Sequence, residues 1–410
     1  MFFDRFSDRT NWRLVQNRLT LALEAVRATG AQILDLAASN PTRVGLEYDS
    51  ASILGALVST QALDYDPQPK GLLPAREAVV SYYREEHSVG GLDAERIVLT
   101  TSTSEGYSFV FRLLCNAGDE LLVPKPSYPL FEFLADLEDV RLVPYPLIYD
   151  HGWQMDFSSL KRAVSARTQG VVVVHPNNPT GSYVTAEEVE QLNEFCQQQG
   201  LAIIADEVFL DYALDPNSLH APPDQHSPIP KDGRYDRASF AGNGEVLTFT
   251  LSGLSKVSAL PQMKVAWVVT SGPKDDVSAA MARLEVIADT YLSMNAPMQW
   301  AVPKLLEQRK NIQRQVMERV RRNLGELDRQ LSPQKACQRL RVDGGWYAVL
   351  RVPVTRTDEE LAVELVQEKR VLVHPGHFYD FPSDGYLVLS LIAREAEFRE
   401  GITRLLQLFV

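Results

Sequence analysis

The sequence predicts an α/β protein with a mostly parallel central sheet flanked by helices, plus a smaller α+β domain built from the N-terminal segment and the C-terminal tail. The 410 residues exceed what one ordinary compact core holds, which favours one large and one smaller domain. Short apolar runs alternate with amphipathic helical patterns through the middle of the chain. A content of 45% hydrophobic and 23% charged residues is typical of a globular protein.

The predicted strands are apolar runs that end in polar, glycine or proline residues. They are Ile97 to Leu99, Leu121 to Val123, Val171 to Val174, Leu201 to Ala205, Val246 to Leu251 and Val265 to Val269. The clearest helix follows Thr185, because Thr185 and Glu188 have capping-box spacing and Gly200 follows the last turn. Strands that alternate with helices predict a parallel sheet whose ligands bind beyond the carboxyl ends of the strands.

The domain organisation is predicted from a change of pattern at about Ala301, where one long helix reaching Leu331 bridges to the second domain. We expect residues 1–55 to form an N-terminal arm and part of the small domain, and residues 56–300 the large domain. Residues 301–410 would hold the bridging helix and the C-terminal small domain. The proline-rich stretch from Leu214 to Glu245 lacks periodicity and predicts a long loop.

Composition and charge exclude several partners. A net charge of −12 with scattered cations disfavours nucleic acid. Cys115, Cys196 and Cys337 lie far apart, which fits neither a disulfide framework nor a zinc site and indicates a reducing compartment. The chain starts with charges where a signal peptide needs an apolar stretch, and no segment approaches the ~18 apolar residues of a membrane span. We therefore expect a cytoplasmic protein.

Polar residues follow the predicted strands at the edge where ligands are expected. Thr101, Ser102, Thr103, Ser104 and Glu105 precede an apolar helix pattern. Free N–H groups at a helix N-terminus and the nearby hydroxyls suit phosphate, which predicts an anion site. The alternative is an ordinary Ser/Thr N-cap.

Two further strand ends carry an amide and a carboxylate. Asn177 and Asn178 follow one strand within the segment NNPTG, where a side-chain amide could donate to a ligand oxygen or simply form a turn. Asp206 closes the next strand. A carboxylate there would pair with a cation such as a protonated pyridine nitrogen, or it would cap the following segment.

The last strand end carries a lysine within the segment SGLSK. Lys256 could condense with an aldehyde if burial and a neighbouring positive charge, such as Lys264, lower its pKa. Alternatively, a lone lysine after a strand is a solvated charge.

Together these motifs resemble the fold-type I enzymes that use pyridoxal 5'-phosphate (PLP), specifically the class I/II aminotransferase family, from about Asn40 to the C-terminus. The resemblance implies that Lys256 binds PLP as a Schiff base and serves as the catalytic residue. It also implies a homodimer, because a tyrosine in the segment YDPQPKGLLPAR, here Tyr65, reaches the phosphate of the neighbouring subunit in that family.

The resemblance assigns the other cofactor contacts residue by residue. Tyr128 in PSYP would stack on the pyridine ring with Val208 on its other face, Asn178 would bind the phenolic oxygen, and Asp206 would bind the ring nitrogen. The phosphate ligands implied by the resemblance are Ser102, Thr103, Ser104, Ser252 and Lys264.

Two positions depart from the family pattern. Phe209 stands where a tyrosine hydroxyl normally bonds the phenolic oxygen, so it can pack but cannot donate. Val388 stands where an arginine normally binds the substrate carboxylate. Unless Arg394, Arg43 or a residue of the 214–245 loop substitutes for that arginine, we expect the protein to bind a substrate carboxylate weakly or to prefer an amine without one.

Substrate contacts are expected from Asn40, His377, Tyr379 and Arg394. His374 and His377 lack the further ligands of a metal site, so we expect no metal. The predicted function is PLP-dependent transfer of an amino group between a small amine or amino acid and an oxo acid. The alternatives are a PLP-dependent lyase or decarboxylase, which would share every cofactor residue, and a catalytically silent binding module.

Overall fold

The computed structural model describes residues 6–12, 14–129, 131–214, 238–292 and 294–409. Its helices are α1 Arg18–Ala28, α2 Ser50–Gly55, α3 Leu73–His87, α4 Thr103–Leu114, α5 Phe131–Leu137, α6 Phe157–Ala163, α7 Ala186–Gln199, α8 Leu254–Val257, α9 Lys274–Tyr291, α10 Ala296–Glu307, α11 Arg309–Leu331, α12 Asp358–Glu364 and α13 Glu395–Leu406. Its strands are β1 Leu34–Asp35, β2 Ile97–Thr100, β3 Glu120–Lys125, β4 Arg141–Tyr149, β5 Trp153–Met155, β6 Thr168–Val174, β7 Ala202–Asp206, β8 Thr248–Gly253, β9 Ala266–Ser271, β10 Gln338–Arg339, β11 Tyr347–Arg351, β12 Val371–Leu372, β13 His374–Pro375 and β14 Tyr386–Ser390.

The large sheet has eight strands in the order β2-β9-β8-β7-β6-β3-β4-β5. Strands β4, β3, β6, β7 and β8 are parallel, and β9 and β5 run antiparallel to their neighbours. This confirms the predicted mostly parallel sheet, and each of the six predicted apolar runs overlaps one of its strands. The sequence did not predict β4 and β5, because β4 contains Pro144 and Pro146 and is largely exposed at the edge.

Helices cover both faces of the large sheet, as the continuous apolar strands require. On β2, Val98 packs in one cluster with residues of α4 and α9, whereas its neighbour Leu99 packs in another with residues of α3 and α10. Successive side chains of a strand point to opposite faces, and full burial of each contributes about 1.5–3 kcal/mol. The capping box of Thr185 and Glu188 at α7 is also confirmed.

The smaller unit centres on an antiparallel sheet in the order β10-β11-β14-β13. A separate parallel pair joins the N-terminal segment to the C-terminal tail, with Leu34 opposite Val371. The domain boundaries themselves stay a prediction. The predicted loop from Leu214 to Glu245 falls mostly on residues 215–237, which lie outside the described residues.

The prediction of one helix from Ala301 to Leu331 is wrong, because α10 ends at Glu307 and α11 begins at Arg309. The buried Arg309 guanidinium donates to the Leu306 carbonyl at 2.7 Å and to Glu86 at 2.6 Å. These bonds fix the junction and let α10 pack on α3 while α11 packs on α13. Apolar periodicity alone did not reveal the break, since both helices are amphipathic.

No helix in the described ranges combines the length and the apolar character that crossing a bilayer requires. Cys115, Cys196 and Cys337 are all free thiols.

Candidate active site

The carboxyl ends of the parallel strands bring the predicted residues to one edge of the large sheet. Asp206 lies opposite Val174 of β6 on one side and opposite Leu251 of β8 on the other. The NNPTG turn therefore follows a strand next to Asp206, and the segment with Lys256 follows the strand on its other side. This convergence results from the strand order, which the sequence alone does not give.

Lys256 lies in the single-turn helix α8 directly after β8. Burial lowers the pKa of Lys256 to about 8, and the negative charge of Asp206 opposes this shift. The Lys256 Nζ atom lies 5.0 Å from the Trp346 ring centre and 5.5 Å from that of Phe209. The predicted contribution of Lys264 to this pKa is wrong, since Lys264 is exposed and burial causes the lowering.

Asp206 is a buried carboxylate with two protein donors. Its Oδ1 atom accepts from the Val208 N–H at 3.1 Å, and its Oδ2 atom accepts from the Tyr107 hydroxyl at 3.0 Å. Burial raises the pKa of Asp206 to about 6, whereas these two bonds and the charge of Lys256 counteract the rise. A carboxylate in this position is suited to pair with a buried cation.

The two asparagines of NNPTG have different roles. The Asn177 side-chain oxygen accepts from the Thr180 hydroxyl at 2.9 Å and from the Thr180 N–H at 3.3 Å, which is the turn predicted as the alternative. The Asn178 Oδ1 atom is buried and has no hydrogen-bond partner among the described residues. The Asn178 amide is therefore available to a ligand, and so is the buried Asn177 Nδ2 group, which also has no partner among the described residues.

The N-terminus of α4 combines a helix cap with a candidate anion site. Ser102 is the N-cap, and its hydroxyl accepts from the Glu105 N–H at 3.1 Å. The Glu105 carboxylate in turn accepts from the N–H of Thr101 at 2.6 Å. Thr103 and Ser104 form the partly exposed first turn, whose N–H groups and hydroxyls are the donors suited to phosphate.

The remaining predicted cofactor contacts differ in how far their side chains are exposed. The Ser252 hydroxyl is buried and points to the Glu207 carbonyl at 3.5 Å. Tyr128 is 43% exposed, and burial with the charge of Asp206 raises its pKa. Tyr65 is 83% exposed, so in one chain it contacts little.

The predicted substrate residues belong to several separate elements. Tyr379 is buried, its hydroxyl lies 3.0 Å from His374 Nδ1, and its carbonyl accepts from the Ser127 N–H next to Tyr128. His377 is exposed. The side-chain oxygen of Asn40 accepts from the hydroxyl and N–H of Thr42, which caps a local turn.

Val388 and Arg394 differ in environment. Val388 is 1% exposed at the centre of β14, where it pairs with Val349 and His374 in the small-sheet core. Arg394 is exposed at the start of α13, beside Gly45 of the N-terminal segment.

Comparison with known proteins identifies the family. Residues 34–404 match the family model described as Aminotransferase class I and II. The chain belongs to this family. The class I and II aminotransferase fold and the predicted aminotransferase activity are thereby confirmed, and the lyase remains a minor alternative.

Curated relatives and solved structures of aminotransferases span nearly the whole chain. The glutamate-pyruvate aminotransferase AlaA of Haemophilus influenzae is 27% identical over 92% of this chain and 90% of its own length. The alanine aminotransferase of Mycobacterium tuberculosis is 27% identical over 93% of this chain and 86% of its own. The structure of an alanine aminotransferase from Pyrococcus furiosus superposes with a TM-score of 0.85 at 19% identity, covering 98% and 99% of the two chains.

Sequence reasoning missed three aromatic residues that contact the candidate residues of this aminotransferase. Tyr107 bonds Asp206, Trp346 covers Lys256 Nζ, and the Tyr212 hydroxyl donates to the Lys256 carbonyl at 2.5 Å. For Tyr107 the sequence held one local indication of a place in the site. It lies three residues after Ser104, which puts it one helical turn beyond the predicted anion site and on the same face.

Proposed function

We propose that this class I and II aminotransferase uses PLP bound covalently to Lys256 and transfers an amino group between a small amine or amino acid and an oxo acid. The observation that carries the proposal is the placement of Lys256 and Asp206 at the ends of two adjacent strands. Their charges act on each other, and burial shifts both pKa values toward neutrality. Such shifts are characteristic of catalytic groups.

The residues fit PLP. The side-chain NH2 group of Asn178 would donate to the phenolic oxygen, the buried Asp206 carboxylate suits a protonated ring nitrogen, and the first turn of α4 suits a phosphate. Ser252 and Lys264 would add phosphate contacts, and Tyr128 and Val208 would contact the two ring faces. Bound PLP supplies an aldehyde that condenses with amines and a ring that accepts the electron pair of the substrate carbon.

Lys256 would move the proton. A pKa of about 8 leaves part of its Nζ atom neutral near pH 7, so it can take the proton from the substrate carbon next to nitrogen and return it later. The rings of Phe209 and Trp346 lie beside Nζ and provide an apolar surface there. Asp206 would stabilise the positive charge of a protonated ring nitrogen, which favours removal of that proton.

We further propose a cytoplasmic homodimer with sites at the subunit interface. The 83% exposure of Tyr65 supports this, since the side chain is free to reach a neighbouring phosphate. Sedimentation equilibrium tests the dimer. A mixed dimer of one Tyr65→Phe chain and one Lys256→Ala chain contains one site with Lys256 from the first chain and Tyr65 from the second. PLP affinity should be restored at that site.

The central experiment compares visible spectra of wild type, Lys256→Ala and the control Lys161→Ala, which changes an exposed lysine of α6. Wild type and the control should be coloured, and borohydride followed by peptide mapping should label Lys256. A colourless wild type or a label on another lysine would overturn the proposal.

The substrate class is tested by half-reactions. Glutamate and alanine, named in the relatives' activities, and matching amines without a carboxylate should each be mixed with the enzyme before pyruvate or 2-oxoglutarate is added. Because Val388 is buried and uncharged, we expect a smaller preference for the carboxylate-bearing donors than an arginine would give. Arg394→Ala and Arg43→Ala should raise KM only for those donors. Release of carbon dioxide or ammonia without the oxo acid would indicate the decarboxylase or lyase instead.

A further inference from the structure

Tyr107 connects the helix of the candidate anion site to the buried carboxylate. It lies one turn after Ser104 on α4, is 3% exposed, and donates its hydroxyl to Asp206 Oδ2 at 3.0 Å. Gly106 permits this contact. A Cβ atom there would lie 3.0 Å from a Val268 methyl and 3.1 Å from a Leu251 methyl, so α4 approaches the sheet closely.

Aromatic packing fixes the position of the Tyr107 hydroxyl. The ring meets Phe111 edge-on at 5.7 Å and Phe131 at 5.2 Å. Phe131 begins α5, two residues after the PSYP segment that carries Tyr128. The ring is thus held from two helices, and its hydroxyl cannot turn away without breaking this packing.

The hydroxyl remains a donor throughout the working pH range. Burial and the charge of Asp206 raise the pKa of Tyr107 well above its usual value. The other titratable groups whose charges interact with Asp206 are Lys256, Glu207, Tyr83 and Tyr128. Apart from Tyr107, only the Val208 N–H donates directly to the carboxylate among the described residues.

We propose that Tyr107 is a positioning residue that keeps Asp206 ionised and oriented toward the ring nitrogen of PLP. This inference rests on the proposed cofactor. Because Tyr107 shares α4 with Ser102, Thr103 and Ser104, a single helix sets the contacts to both the phosphate and the ring nitrogen.

The test compares Tyr107→Phe with the matched control Tyr145→Phe, since the buried Tyr145 hydroxyl donates to the Val172 carbonyl at 2.8 Å. In Tyr107→Phe the PLP dissociation constant should rise roughly tenfold, the effect of losing one hydrogen bond to a charged group. The visible absorbance of bound PLP changes at the pH where the Lys256 nitrogen loses its proton, and this midpoint should rise. The reason is that the ring nitrogen would hold its own proton less firmly, and loss of that positive charge makes the Lys256 nitrogen more basic. The value of kcat should fall with little change in KM, and the control should match wild type in all three.

A second readout, the free energy of unfolding of the apoenzyme as a function of pH, needs no PLP. Asp206 has a folded pKa of about 6, above its unfolded value, so its ionisation destabilises the folded apoenzyme as the pH rises through this range. Tyr107→Phe raises that pKa further and should destabilise the apoenzyme more at pH 8 than at pH 4.

The outcomes separate this inference from the proposed function. An unchanged midpoint and unchanged PLP affinity in Tyr107→Phe would overturn the inference while the cofactor stands. Equal shifts in Tyr107→Phe and Tyr145→Phe would also overturn it, because they indicate general loss of packing. If wild type binds no PLP, both proposals fail, and Lys256→Ala then behaves like wild type.

Discussion

Tyr212 donates its hydroxyl to the main-chain carbonyl of Lys256 at 2.5 Å. The carbonyls of the next residues are bound in the same way, that of Val257 by Gln313 at 2.8 Å and that of Ala259 by Tyr48 at 2.9 Å. Helix α8 has only one turn, and the Ala259 N–H donates to the Lys256 carbonyl at 3.1 Å, so these side chains add further donors to the carbonyls at the end of the helix. The backbone of Lys256 is therefore fixed by residues distant in sequence.

Tyr212→Phe should lower kcat several-fold with little change in KM, because Nζ is then less firmly positioned. The free energy of unfolding should fall by about 1 kcal/mol, the usual value of one hydrogen bond. Steady-state kinetics and urea unfolding measure these effects. Tyr145→Phe loses a comparable bond away from Lys256, so an equal fall of kcat in both variants would contradict a specific role.

The rate at which the apoenzyme captures PLP should increase with pH around the Lys256 pKa of about 8, because only the neutral amine attacks the aldehyde. Asp206→Asn should shift this midpoint downward, since the negative charge of Asp206 raises the pKa of Lys256. Stopped-flow absorbance gives both profiles, and the same titration with a free alkylamine corrects for ionisation of PLP itself. A midpoint near 10 in the wild type would contradict the burial of Nζ.

Phe209→Tyr should lower the pH midpoint of the visible absorbance. Phe209 is 3% exposed and its ring centre lies 5.5 Å from Lys256 Nζ, so a hydroxyl added there would be a donor close to the proposed cofactor. A donor to that oxygen competes with the proton on the Lys256 nitrogen. A pH titration of each variant, with thermal unfolding to confirm folding, checks the shift, and an unchanged midpoint would count against the assignment.

Gly181→Ala should destabilise the protein more than Gly30→Ala does. Both glycines have positive φ angles, +70° and +76°, which cost an alanine roughly 1–2 kcal/mol. A Cβ atom at Gly181 would also clash with Val342 and lie 2.5 Å from the Gly344 carbonyl, whereas nothing lies within 4 Å at Gly30. We expect a loss of about 3 kcal/mol for Gly181→Ala against about 1 kcal/mol for Gly30→Ala in urea unfolding. Equal losses would show that the contact with Val342 and Gly344 does not constrain this turn.

Much of the fold followed from local patterns. The continuous apolar runs identified six strands of the large sheet, and the capping box located the start of α7. The strand β4 was missed because its prolines and exposure contradict the usual pattern, and the break at Gln308 was missed because burial of Arg309 against Glu86 involves contacts distant in sequence.

The sequence by itself determined which residues we expect to carry the chemistry, since Asn178, Asp206 and Lys256 lie at or just after the ends of predicted strands in a recognisable order. Only the tertiary structure decided what surrounds them. It places Tyr107 on Asp206 and Trp346 over Lys256, and it buries Val388 in the small sheet. Local periodicity is encoded within a few residues, whereas these contacts depend on strand order and helix packing across the whole chain.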